Sequence, residues 1–147
     1  MTVCFEDLEP GQVLQSAGRT ITDADILAFA GISGDFNELH MNEHWVREHT
    51  PFTGRVAHGL LILAIASGLR QATLDQLYVI AYLNVDRAFT AATYAGDTIS
   101  VRWTVGELRD SRSHPEAGIV RLDAEVSKAD GTVVQRGPDV CLIGRRP

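Results

Sequence analysis

The chain has 147 residues, with 13 Lys plus Arg against 19 Asp plus Glu and a formal net charge of −6, and 45% of its residues are hydrophobic. This is the size of one ordinary domain, 1–147, large enough to bury a core without metal or disulfide staples and too apolar for a disordered or fibrous chain. The acidic balance, with no basic run beyond Arg145–Arg146, argues against a nucleic-acid surface and against a polybasic membrane patch.

Cys4 and Cys141 stand at opposite ends of the chain, so a disulfide framework is not expected. With no apolar leader at the N-terminus, a reducing cytoplasm is the expected location. Four of the five histidines, His40, His44, His49 and His58, crowd into one window that needs an explanation.

In chain order, a short strand near 12–18 comes first. Thr22-Asp23-Ala24-Asp25 has the form of a helix start, leading into a helix to about Ala30, with Gly31 and Gly34 as stop signals. Asp35 to His40 reads as an irregular connection rich in turn-forming residues, and a short helix over 42–48 ends before Pro51. A helix from about Ala57 to Gln71 is apolar on every side through Leu60–Ala66, which predicts full burial. The uninterrupted apolar run is about half of the roughly 20 residues a bilayer span requires, so a membrane helix is not expected.

From there the period changes to two. Tyr78–Phe89 is β-rich, Ile99–Val105 and Val120–Val126 alternate apolar with polar residues, and Asp130-Gly131 signals a hairpin into a last strand near 133–143. Pro138 predicts that this last strand is interrupted or lies at an edge. Four strands in a meander with a buried helix on their apolar face make an α+β domain. The absence of β-α-β alternation and of a glycine fingerprint excludes a dinucleotide-binding fold.

The chemistry is concentrated in Ser33-Gly34-Asp35-Phe36-Asn37-Glu38-Leu39-His40, followed by His58-Gly59 at the mouth of the apolar helix. Asp35 and His40 are an acid and a base that could hold one water between them, with Asn37 able to orient one of them. Gly59 at a helix N-terminus offers an unpaired backbone N–H to a developing oxyanion and lets a carbonyl approach closely.

These residues resemble a known family. Phe29–His40, Gly54–Leu61, Asn84–Phe89 and Tyr94–Thr98 are similar to the hydratase-2 motif and following strand of MaoC-like, (R)-specific enoyl-CoA hydratases. The resemblance implies a hot-dog fold, an antiparallel sheet wrapped around a long helix. It also implies at least a homodimer with an acyl tunnel near the interface, and a place in cytoplasmic fatty acid metabolism. Asp35 and His40 then correspond to the catalytic pair, Asn37 to their support, Gly59 to the oxyanion donor and Ser67 to a residue lining the acyl pocket. No cofactor is implied; the acyl-CoA or acyl carrier protein thioester is the substrate. Glu38 stands where the family usually has proline, and the spacing from His40 to Gly59 is one residue longer than in some members, which bears on tunnel shape.

Other readings stand beside these. His58 is expected mainly to mark the helix start beside the substrate, and His44 and His49 to lie on a solvated face. A metal site is not expected, because Glu43 directly precedes His44 and no third ligand is placed. An acyl-CoA thioesterase on the same fold and a non-catalytic acyl-CoA-binding subunit of a hetero-oligomer are the alternative functions.

Overall fold

Reciprocal capping starts the first helix, α1 (Asp23–Ser33). Thr22 Oγ1 accepts from the Asp25 N–H at 3.1 Å, and Asp25 Oδ2 accepts from the Thr22 N–H at 2.9 Å. Gly34 ends α1 at φ 76°, a left-handed conformation that glycine adopts without a Cβ penalty. The computed structural model describes residues 2–73 and 77–147. Two short helices follow, α2 (Glu38–Met41) and α3 (Glu43–His49), and then the long α4 (Gly59–Thr73).

Among the described residues, seven strand segments make one antiparallel sheet: β1 (Val13–Gln15), β2 (Arg19–Thr20), β3 (Val79–Val85), β4 (Ala88–Phe89), β5 (Thr98–Asp110), β6 (Ala117–Lys128) and β7 (Val133–Gly144). The order is β1-β5-β6-β7-β3, with β2 also paired to β5 and β4 also paired to β7. The inner faces of β5 and β6 present Val101, Trp103, Val105, Val120 and Leu122 to Leu61, Ile62, Ile65 and Ala66 of α4, and this contact is the centre of the core. Alternation in β5 and β6 thus corresponds to a sheet with one covered face. Among the described residues no helix is long and apolar enough to cross a membrane.

Three expectations are corrected. The β-rich segment at Tyr78 does not continue a meander into β5; β3 crosses to the far side of the sheet and pairs with β7. Pro138 lies within a central strand, opposite Asp123 of β6, and the ladder on its other side breaks where Asp86 and Arg87 separate β3 from β4. Helix α4 is not buried all round, because Leu60, Ala64 and Gly68 form an exposed stripe.

The break at Asp86–Arg87 has its own anchor. Arg87 Nη2 meets Asp139 Oδ1 at 2.5 Å with the two side chains 4% and 1% exposed, Arg87 Nη1 donates to the Gly137 carbonyl, and Trp103 Nε1 donates to Asp139 Oδ2. This buried pair ties β4 and its Phe89 to the core.

Candidate active site

Asn37 accepts from the Leu39 N–H through Oδ1, capping α2 and so turning the chain immediately before His40. His40 therefore sits on one turn of helix rather than on the irregular connection, which ends at Asn37. Two backbone bonds, Val56 N–H to Leu39 and Ala57 N–H to Thr93, draw the segment before α4 against α2 and against the connection into β5. His58 is thereby brought beside His40, their ring centroids 3.7 Å apart and stacked.

Both rings are oriented by backbone carbonyls. His40 Nδ1 lies 2.6 Å from the Val56 carbonyl, and His58 Nε2 lies 2.9 Å from the Asp35 carbonyl. A carbonyl oxygen only accepts, so these nitrogens carry the protons, and in the neutral rings His40 Nε2 and His58 Nδ1 keep lone pairs. His40 Nε2 faces Asp35 Oδ2 across 3.7 Å, too far for a direct hydrogen bond. The Asp35 carboxylate is half exposed and accepts from the Asn37 N–H at 3.2 Å. Asn37 thus supports Asp35 through its main chain, while its side chain is committed to the cap.

On its inner side His40 borders a cavity of about 310 Å³, lined also by Gly59, Leu39, Ile62, Phe89 and Gln135. Gly59 is the first residue of α4, and its N–H has no acceptor among the described residues. A Cβ on Gly59 would lie 2.8 Å from Phe89 Cε2, so only glycine fits beneath that ring as it stands. The cavity wall is mostly hydrocarbon, and its polar side chains are His40, Thr90, Thr93 and Gln135.

Ser67 is not brought to this cavity. Its hydroxyl donates to the Ala64 carbonyl, and it lines a separate groove with Leu60, Leu63, Ala64, Tyr82 and Val85. His44 and His49 lie on the exposed face of α3, beside Glu48 and the Trp45 carbonyl. The ligand atoms of Asp35, His40 and His58 lie within 4.8 Å of one another, a three-donor set able to hold a cation, with His58 as the third donor that sequence spacing left unplaced.

A model of the MaoC like domain matches residues 6–127. The chain belongs to the MaoC-like dehydratase family. An (R)-specific enoyl-CoA hydratase from Rhodospirillum rubrum is 38% identical over 97% of this chain and 92% of its own length. The crystal structure of a MaoC-like dehydratase from the same organism superposes with a TM-score of 0.87 at 30% identity, covering 99% of each chain. A Mycobacterium tuberculosis protein described as a double hot-dog fold matches with a TM-score of 0.84 at 25% identity, 99% of this chain aligning with 45% of that one. The fold is accordingly the hot-dog fold, and this MaoC-like dehydratase is an enzyme of the hydro-lyase class. Two features of its site had no sequence signal that spacing could reveal: the stacking of His58 on His40, and Gln135, which approaches from β7.

Proposed function

We propose that this protein catalyses the (R)-specific hydration of trans-2-enoyl thioesters to (R)-3-hydroxyacyl thioesters, and the reverse dehydration. The observation that carries the reading is the 3.7 Å gap between Asp35 Oδ2 and His40 Nε2, where His40 borders a largely apolar cavity. Both atoms are acceptors, and a water between them donates one proton to each while its lone pair stays free to attack. In an enoyl thioester the carbonyl makes C3 electrophilic. The water oxygen bonds to C3 as one member of the pair takes a water proton, the π electrons move toward C2 and the thioester oxygen, and that same proton is then delivered to C2, which leaves Asp35 and His40 as they began and the second water proton on the new hydroxyl. Gly59 N–H stabilises the charge on the thioester oxygen, an effect of about 3–4 kcal/mol for such a donor. Either CoA or acyl carrier protein presents this thioester.

A homodimer is part of the proposal. Ile80, Tyr82, Leu83 and Val85 of edge strand β3 and Leu60 of α4 are large apolar side chains left exposed, and Leu60, Tyr82 and Val85 line the groove that holds Ser67. A second copy pairing on β3 covers them and extends the acyl site from Gly59 along α4 toward Ser67.

The test follows loss of the enoyl absorbance of crotonyl-CoA and the chirality of the product. Asp35→Asn and His40→Ala are each expected to abolish hydration in a folded protein. Wild-type rates in both variants, an (S)-product, or release of free thiol from saturated acyl-CoA in place of hydration overturns the proposal.

A further inference from the structure

Gln135 is 2% exposed in the wall of the cavity. It reaches that position through an irregularity in β7. Val126 pairs with Gln135 and Ser127 with Val133, leaving Val134 as an extra residue, so Val134 and Gln135 both face inward before Arg136 returns to solvent. Bulges of this kind re-aim side chains beside active sites.

The side chain has one defined partner. Gln135 Nε2 donates to the Gly59 carbonyl at 2.6 Å. Because that carbonyl can only accept, the amide orientation is settled, and Oε1 is left buried with no donor among the described residues. Stability does not account for this arrangement. A carbonyl in the first turn of a helix already has an acceptor role in the helix ladder, and a buried amide oxygen without a donor is unfavourable where leucine would fill similar volume. The bond acts on geometry instead. Gly59 has no Cβ and so fits under Phe89 with that ring in place, yet glycine is the residue whose backbone is least restrained, at the point where the aim of one N–H matters most.

We infer that Gln135 is a positioning residue: it clamps the first turn of α4 to β7 so that the Gly59 N–H is preorganised toward the thioester oxygen. The inference rests on the role proposed above for Gly59. An oxyanion donor contributes to rate only when its orientation is set before reaction, so loosening it lowers kcat more than it raises KM.

The test compares Gln135→Leu and Gln135→Glu with wild type. Gln135→Leu is expected to lower kcat for crotonyl-CoA about tenfold with KM within about twofold, while its thermal midpoint is unchanged or higher. Gln135→Glu cannot donate as a carboxylate, and its rate is expected to recover as acidification protonates it. Isotope-edited infrared spectra of bound butyryl-CoA, labelled at the thioester carbon, supply a readout independent of hydration. The carbonyl band is expected at lower frequency on wild type than free in solution, with a smaller displacement on Gln135→Leu. The inference is overturned by an unchanged kcat, by activity and stability falling together in Gln135→Leu, or by a band that Gln135→Leu leaves in place. A wild-type protein that does not hydrate crotonyl-CoA, but displaces the band in a Gln135-dependent way, upholds the clamp and overturns the hydration reading instead.

Discussion

Replacing Asp139 by Asn removes one charge from a pair that is almost wholly desolvated, the side chains of Arg87 and Asp139 being 4% and 1% exposed. The amide oxygen of the replacement could still accept from Trp103 Nε1, which now donates to Asp139 Oδ2, so the main loss is the counter-charge of the buried guanidinium. Arg87 would keep the Gly137 carbonyl, but a carbonyl dipole does not replace a carboxylate at 2.5 Å. Breaking a buried pair from one side costs about 3–5 kcal/mol. With an unfolding entropy of about 2.1 cal/mol/K per residue over a chain of this length, that corresponds to a fall in Tm of roughly 10–16 °C. The assay is thermal and urea unfolding at one fixed protein concentration, since a dimer makes Tm depend on concentration. The double variant Arg87→Met, Asp139→Leu is expected to lose less stability than Asp139→Asn, because no unpaired charge remains. A loss below about 1 kcal/mol in Asp139→Asn, or a double variant weaker than the single one, refutes the reasoning.

Gly59→Ala places a methyl against the ring of Phe89, a residue 55% exposed whose side chain can swing away, so Tm is expected to move by only a few degrees. The displaced ring and the methyl both encroach on the cavity, and kcat/KM for crotonyl-CoA is expected to fall at least about tenfold. Leu83→Glu on β3 is expected to convert a dimer to a monomer with unchanged circular dichroism, as read by light scattering. At the start of α1, burial pushes the Asp25 carboxyl up, but hydrogen bonds from the Thr22 N–H and hydroxyl and the Arg19 guanidinium outweigh it and hold the group below the usual carboxylate range. A depressed carboxylate contributes stability above its unfolded value and loses it as pH falls through the folded one. Asp25→Ala is therefore expected to cost about 1 kcal/mol at pH 7, and its deficit against wild type to shrink below about pH 4 in urea titrations at stepped pH.

Much of the site was legible before folding, because its parts obey local rules. The Thr22–Asp25 box, the Gly34 stop and the Asp130-Gly131 turn are contacts between residues a few positions apart, and each forms where the sequence predicts it. Asp35, Asn37 and His40 lie within one short segment, so their meeting needed only a turn. What was not legible depended on distance along the chain. That β3 pairs with β7, that Pro138 sits opposite a break in the neighbouring ladder, and that one stripe of α4 stays uncovered all follow from which edges meet, and the period of an apolar pattern carries no information about that.

By itself, the sequence determined the types of most of its elements, the short segment that holds Asp35, Asn37 and His40, and the glycine at the mouth of α4, since capping, turn chemistry and alternation act over a few residues. Only the tertiary structure decided that His58 stacks on His40, that Ser67 lies in a groove apart from the cavity, and that a bulge in β7 carries Gln135 to the Gly59 carbonyl. These are contacts between segments 18 to 76 residues apart, and closing such loops is driven by burial of the whole core rather than by any local preference of the residues that meet.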